Sequence, residues 1–108
     1  MSRRRTVDEA DIPAGDPRPG EVWWCGGEAL GFGDGGKVRP VLVIGAFGGQ
    51  VDVVPLTTRK PDGAAEAVHH RAGLSWMTDA RRSVSPIELV SSLGPWAGYG
   101  EWRRKGGR

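Results

Sequence analysis

The sequence contains few of the residues on which disulfides and metal centres depend. Its 108 residues include one cysteine, Cys25, and two histidines, the neighbours His69 and His70. A single cysteine cannot form an internal disulfide, which is typical of proteins in a reducing cytoplasm. Adjacent residues of a strand point to opposite faces, so the two histidines do not converge on one ligand. We therefore expect no metal and no cofactor.

Long apolar runs and a large net charge are also missing. No stretch approaches the about 20 apolar residues that cross a membrane, and the N-terminal arginines precede acidic residues instead of an apolar signal region. The formal net charge of +2 permits a polyanionic partner without requiring one. We expect a cytoplasmic protein with no membrane partner.

Glycine and proline are abundant instead, with 18 and 8 copies. This composition favours many short strands over long helices, and the length predicts one small domain. Residues 1–18 carry arginines followed by acidic residues with little to bury, and residues 95–108 are basic and rich in glycine. We predict a disordered N-terminal arm over 1–18, a β-rich domain over 19–94 and a flexible basic tail over 95–108.

Between the two ends, the pattern predicts five or six strands and one late helix. In the first strand, Glu21–Cys25, one of two adjacent tryptophans should be buried. Gly26–Lys37 holds six glycines and is predicted to be a mobile loop. Ser85, followed by proline and glutamate, predicts a helix that begins there and runs to Leu93. Val41–Ile44 is apolar without interruption and is predicted to be a central strand buried on both faces. The other predicted strands include Ala67–His70, Leu74–Thr78 and Arg82–Val84.

The middle of the chain holds two apolar runs, Val38–Ile44 and Val51–Thr58. The glycine-rich link between them is short enough to close a hairpin. A turn near residue 47 or 48 puts Arg39 opposite Leu56 or Thr57, and opposed residues of an antiparallel pair share a face. An arginine beside a hydroxyl is suited to binding a phosphate. The plainer interpretation is a solvated arginine at a strand end, with threonines that serve β-propensity.

The same runs carry a family resemblance. VRPVLVI at 38–44, followed by VVPLTT at 53–58, closely resembles the core of the MazF/PemK family of toxin endoribonucleases. PGEVWW at 19–24 is similar to that family's first strand, and SWMTDARRSVS at 75–85 is similar to its late strands. The resemblance implies an SH3-like barrel, a homodimer, and a toxin that a cognate antitoxin holds inactive. It also implies that Arg39 and Thr57 are catalytic, because they match the family's arginine and threonine.

The chemistry of such a site follows from general principles. RNA is cleaved without a metal when the ribose 2'-hydroxyl attacks the adjacent phosphorus, since the nucleophile belongs to the substrate. The protein then has to align the attack and stabilise charge on the phosphoryl oxygens. The guanidinium of Arg39 is a planar fork of donors that stays charged at working pH. Thr57 is expected to hydrogen-bond the phosphate and assist proton transfer.

Further residues are predicted to bind single-stranded RNA around this pair. Phe32 is a candidate stacking platform for a base, whereas Trp76 is expected in the core. We also predict that the Gly26–Lys37 loop closes over bound RNA and is where an antitoxin acts. The predicted RNA-binding residues are Phe32, Lys37, Thr58, Arg59 and Lys60.

Two other functions fit the sequence. A gyrase-directed CcdB-like toxin is one, because such toxins depend on a tryptophan near the C-terminus and this chain has Trp102. A catalytically silent SH3-like binding module is the other. The chain also departs from the family at 33–37, where a polar pair is usual. It departs again at 95–100, where one proline and two glycines interrupt the usual long helix, so its dimer packing is expected to differ.

Overall fold

The computed structural model of the chain describes residues 16–31 and 36–107. These residues form a curled antiparallel sheet with two short helices, which confirms the expected mainly β fold. None of the described helices is long and apolar enough to span a membrane. The strands are β1 (Glu21–Cys25), β2 (Arg39–Phe47), β3 (Gln50–Thr57), β4 (Ala67–His70), β5 (Gly73–Met77), β6 (Arg82–Val84) and β7 (Leu89–Pro95); the helices are α1 (Gly27–Leu30) and α2 (Tyr99–Arg104).

The sheet follows the order β4-β5-β3-β2-β1-β7, and β6 also pairs with β3. One edge of β3 pairs with β2, while its other edge changes partner along its length. Residues 51–53 pair with β6, and Leu56 and Thr57 pair with β5. Pro55, which has no N–H to donate, lies where the partner changes. The carbonyl of Pro55 accepts hydrogen bonds from the N–H and the hydroxyl of Thr78, at 3.1 and 3.0 Å.

Both faces of the central strands are buried, in two separate apolar clusters. Leu42 and Ile44 belong to one cluster, and Val41 and Val43 belong to the other. All four side chains are at most 6% exposed. This confirms the prediction that the uninterrupted apolar run forms a strand buried on both faces. The prediction for the first strand is confirmed too, since one of its tryptophans is buried and the other is half-buried.

The β2–β3 hairpin combines a tight turn with a bulge. Its turn consists of Gly48 and Gly49 alone, with φ of +61° and +79°, as a two-residue type I′ turn requires. The link is therefore shorter than the six residues suggested by composition. The pairing begins at Phe47 with Gln50 and shifts by one residue past Ile44, which is the extra residue on β2.

The prediction of a late helix that begins at Ser85 is wrong. Only Pro86–Glu88 form a 3₁₀ turn, and the Ser85 side chain makes no capping hydrogen bond. The chain then becomes β7, which pairs with the free edge of β1. Ile87 and Val90, which the predicted helix would place on one face, are 86% and 66% exposed. Pairing with β1 outweighs the local helix-start signal, because tertiary contacts routinely override propensity.

The glycine-rich segment Gly26–Lys37 is not a mobile loop over its first part, because it contains α1. Leu30 at the end of α1 is fully buried, and its carbonyl accepts a hydrogen bond of 2.9 Å from Nε of Arg82. The N–H of Gly26 donates to the carbonyl of Glu88 at 3.0 Å. Gly27 is required at its position, since a Cβ there would clash with the Lys37 carbonyl.

The C-terminal segment is not a flexible tail where it is described. Trp96 is buried, and Tyr99 and Trp102 of α2 pack against the same apolar cluster as Leu42. The centre of the Trp102 ring lies 6.0 Å from the centre of the Trp96 ring and 5.9 Å from that of Tyr99. The segment after residue 95 therefore adds to the core. Of the arm predicted over 1–18, the structure describes residues 16–18, where the N–H of Arg18 donates to Oε1 of Glu21.

Candidate functional site

The bulge in the hairpin decides which threonine lies opposite Arg39. At the turn, Phe47 pairs with Gln50, and that register would carry Arg39 to Thr58. After the bulge, Val41 pairs with Pro55. Two residues further along, this register puts Arg39 opposite Thr57. Of the two registers considered from the sequence, the structure thus has the one that joins a cation and a hydroxyl.

Both side chains are held at the end of the sheet. Arg39 is half-buried at the start of β2, and its Nε atom is buried. Thr57 is half-buried at the end of β3, and its hydroxyl oxygen accepts a hydrogen bond of 3.2 Å from the N–H of Arg59. A hydroxyl that accepts one bond still has its own hydrogen to donate. The pair therefore presents donors whose orientation the backbone restricts.

A large open cleft of about 940 Å³ lies on one side of this pair. Arg39 and Thr57 belong to its wall, together with Trp102 of α2. Three cationic side chains line the cleft, those of Arg39, Arg59 and Lys60. Three carboxylates line it as well, those of Asp62, Glu66 and Asp79. The formal charge of these groups cancels. Binding of an anion in this cleft would therefore depend on where the donors lie rather than on a strong positive field.

A smaller cleft of about 240 Å³ also contains Arg39 and Thr57. Its wall, as far as the described residues form it, contains no carboxylate and includes Trp24, Val38 and Leu74. Because Arg39, Leu56 and Thr57 line both clefts, the arginine and threonine lie at the junction between them. We call the two sites the large cleft and the small cleft.

The predicted RNA-binding residues divide between these clefts. Thr58 lines the small cleft, while Arg59 and Lys60 line the large one, and all three are exposed. Lys37 is exposed but is part of neither wall. Phe32 lies outside the described residues.

Trp76 does not belong to the core, contrary to expectation. It is half-buried, lies in neither apolar cluster, and pairs with Thr57 across β3 and β5. The Lys60 ammonium is 5.1 Å from the centre of its ring, within the range of a cation–π contact. Side chains alternate along β5, so the burial of Ser75 and Met77 turns Trp76 outward.

His70 lies in the small cleft with both ring nitrogens engaged. Its Nδ1 accepts a hydrogen bond of 3.2 Å from the N–H of Ala72, so that nitrogen carries no proton. Its Nε2 lies 2.9 Å from the hydroxyl of buried Ser75. Burial, and secondarily the neighbouring His69, lowers the pKa of His70 below its ordinary value. The ring is therefore held neutral and fixed in orientation, which suits a wall of the cleft better than a proton carrier.

Cys25 is a core residue, as its place in the first strand suggests. Its side chain is fully buried in β1. Burial, with a smaller effect of the Glu88 carboxylate, raises the pKa of the thiol to about 11. Since the thiolate is the nucleophilic form, this cysteine is unreactive at neutral pH.

Sequence reasoning did not place Trp24, His70 or Trp102 in the wall of a cleft. Trp102 was assigned to a tail, although the aromatic residues at 96, 99 and 102 recur every three positions, as on one helical face. His70 was considered together with His69, as a pair of neighbours that does not converge on one ligand. No local signal marks either histidine, because the cleft is formed by strands distant in sequence.

Within 16–31 and 36–107, no three His, Cys, Asp or Glu side chains are grouped as a metal site would need. Comparison of the chain with protein-family models, curated proteins and solved structures found no match.

Proposed function

We propose that this protein is an endoribonuclease toxin of the MazF/PemK type, with its curled sheet forming the SH3-like barrel of that family. The pairing of Arg39 and Thr57 at the junction of two clefts carries the proposal. This pair was expected from the resemblance, and the bulged hairpin supports it by setting the register that the chemistry needs. A junction with a cleft on each side also suits a chain that passes through, such as single-stranded RNA.

In the proposed reaction, the scissile phosphate binds between Arg39 and Thr57. The ribose 2'-hydroxyl attacks the phosphorus, and the bond to the 5'-oxygen of the next nucleotide breaks. The Arg39 guanidinium stabilises the charge that develops on the phosphoryl oxygens, and the Thr57 hydroxyl donates to one of them. The proton lost by the 2'-hydroxyl is taken up by a carboxylate of the large cleft or by water, and the departing 5'-oxygen takes a proton from water. The products are a 2',3'-cyclic phosphate and a 5'-hydroxyl.

The basic loop residues extend the site along the RNA. Arg59 and Lys60 lie in the large cleft beside the junction, where they would contact phosphates on one side of the scissile bond. The nearby carboxylates limit nonspecific attraction, since the lining has no net charge. Binding would thus select a few well-placed phosphates.

The biological setting follows from the same resemblance. We propose a cytoplasmic homodimer that a cognate antitoxin inactivates by occupying the phosphate site. An acidic antitoxin segment lying across the junction would compete with RNA for Arg39. Inhibition is then competitive with RNA, and an antitoxin segment bound at the junction blocks both clefts.

Purified protein incubated with a mixed RNA in the presence of EDTA tests the proposal. Cleavage should leave 2',3'-cyclic phosphate and 5'-hydroxyl ends, and 2'-deoxyribose at the scissile position should prevent it. Cleavage of the deoxy substrate, or activity abolished by EDTA, would refute the mechanism.

One structural observation favours the gyrase-directed alternative. Trp102 packs on Trp96 and Tyr99 and is only half-buried, so part of its surface lies open in the large cleft. Gyrase-dependent DNA breaks without RNA cleavage would favour this alternative. A folded protein with neither activity would favour a catalytically silent binding module.

A further inference from the structure

The ladder between β3 and β5 ends in a pair that the backbone alone cannot complete. In the described structure this ladder consists of Leu56 with Met77 and Thr57 with Trp76. Pro55 and Thr78 come next in the same register, and the N–H of Thr78 donates to the Pro55 carbonyl at 3.1 Å. A hydrogen-bonded antiparallel pair normally exchanges two N–H···O bonds, but Pro55 has no N–H to return.

The hydroxyl of Thr78 supplies a second bond to this pair. It donates to the same Pro55 carbonyl at 3.0 Å, which is nearer than the Ala80 carbonyl at 3.5 Å. The hydroxyl oxygen also accepts a bond of 3.3 Å from the N–H of Ala80, which fixes the connection from β5 to β6. Pro55 is fully buried, and a buried carbonyl depends on partners of this kind.

These bonds lie close to the proposed phosphate site along the chain. Thr57 is two residues beyond Pro55 and is the last residue of β3. The ladder with β5 therefore holds Thr57 from one direction, and the Pro55 pair is the start of that ladder. The place of the Thr57 hydroxyl beside Arg39 depends on how firmly β3 is held at Pro55.

We propose that Thr78 is a positioning residue for RNA cleavage: its hydroxyl anchors the Pro55 carbonyl and thereby holds the Thr57 hydroxyl beside Arg39. The proposal rests on the proposed function, since it takes cleavage at the junction as the reaction. Thr78 lies in the wall of the large cleft, but its one hydroxyl hydrogen is directed at the Pro55 carbonyl. It therefore acts through Thr57 and not on the phosphate.

Replacing Thr78 by valine removes the hydroxyl and keeps the shape of the side chain. The Pro55 carbonyl retains the bond from the N–H of residue 78, so the variant should fold. Because small misplacements of a reacting group are costly, we expect kcat to fall about tenfold in Thr78→Val. KM should not change, since Arg39 still binds the phosphate and the loss is confined to the transition state. Thr78→Ser keeps the hydroxyl and should restore kcat.

Amide hydrogen exchange gives a second readout that does not require cleavage. The N–H of Arg59 donates to the Thr57 hydroxyl at 3.2 Å, so its exchange reports how firmly that hydroxyl is held. In NMR of the protein without RNA, this N–H should exchange faster in Thr78→Val and at the wild-type rate in Thr78→Ser. The acceleration should exceed that of the Trp96 N–H, which is bonded to the Gly20 carbonyl at 2.7 Å and reports the stability of the whole fold.

Ser85→Ala is the matched control. It also removes a hydroxyl, but the Ser85 side chain makes no capping hydrogen bond and lies in neither cleft wall. Both kcat and the exchange of Arg59 should remain at the wild-type values. Should Thr78→Val not fold, Thr78→Ala takes its place in both measurements, because alanine removes the hydroxyl without a methyl group facing the Pro55 carbonyl.

The outcomes separate the positioning role from the reaction. In a protein that cleaves RNA, a wild-type kcat in Thr78→Val would overturn the role, and so would a higher KM with kcat unchanged, which would mean direct contact with RNA. Unchanged exchange at Arg59, or a Thr78→Ser variant as impaired as Thr78→Val, would overturn it as well. Faster exchange at Arg59 that Thr78→Ser reverses would support the role even if the wild-type protein cleaves no RNA, and that result would overturn only the proposed function.

Discussion

Replacing Arg39 by alanine is the most informative perturbation of the junction. The variant removes the charged donors while leaving Thr57 and both clefts in place. Arg39 is half-buried at the end of β2, so we expect the loss of packing to cost only about 1 kcal/mol of the free energy of unfolding. The variant should therefore fold.

The expected loss of activity can be estimated in two ways. Removing one preorganised donor to a developing oxyanion costs about 3–4 kcal/mol, which corresponds to 10²–10³ in kcat. Two unit charges 4 Å apart interact by about 1 kcal/mol in water and about 4 kcal/mol near a protein surface. The junction is open to solvent yet holds a buried Nε, so a value near 3 kcal/mol is expected. Cleavage should slow at least a hundredfold.

The assay is single-turnover cleavage of an end-labelled RNA with enzyme in excess, together with a thermal unfolding curve. Arg39→Lys should recover a small part of the rate, because an ammonium keeps the charge without the planar fork. Arg81→Ala is the charge-matched control, since Arg81 is exposed and lines neither cleft. A folded Arg39→Ala variant within tenfold of the wild-type rate would refute the catalytic assignment.

Four further predictions concern other parts of the molecule. Thr57→Val should slow cleavage more than Thr58→Val; equal losses in kcat would contradict the register set by the bulge. Cys25 should resist a thiol reagent at pH 8 in the folded protein, as its pKa of about 11 requires, and mass spectrometry showing rapid labelling would contradict its burial. His70 has a lowered pKa, so the unfolded chain binds its proton more readily. The contribution of His70 to the free energy of unfolding should therefore be complete above about pH 6.5 and be lost as the pH falls below that value. The decrease in the free energy of unfolding with falling pH should be smaller in His70→Gln. With two or three phosphate contacts, the slope of log affinity for single-stranded RNA against log salt should lie between about −1.4 and −2.1, and a much steeper slope would indicate a wider basic surface.

The central strands were predictable because their patterns are strong and local. Val41–Ile44 is apolar without interruption, which specifies a strand covered on both faces whatever its partners are. Arg39 became a candidate site residue from its place in the predicted hairpin together with the resemblance to the MazF/PemK family. The residue opposite Arg39 was left as Leu56 or Thr57, since that choice depends on the position of the turn. The observed register combines a turn at Gly48 and Gly49 with a bulge at Ile44, and the bulge leaves no clear mark in the sequence.

Other elements could not be predicted, because distant contacts decide them. The Ser85 signal has all the local features of a helix start, yet β1 needs a partner on its second edge and β7 supplies it. The six glycines of 26–37 suggested a loop, but burial of Leu30 and the bond from Arg82 stabilise a helical turn within it. Trp102 enters the large cleft only because α2 folds back onto the curled sheet.

The bulge at Ile44 has a consequence for comparing this chain with others. Without it, the turn at Gly48 and Gly49 would leave Arg39 facing the next threonine. A homologous hairpin that lacks the bulge must therefore have one residue fewer between its arginine and its threonine to keep the same two side chains together. Alignments that forbid a gap at this point would match Thr57 with the wrong residue. Gain of a residue here should be accompanied in evolution by a bulged strand, and loss of a residue by a straight one.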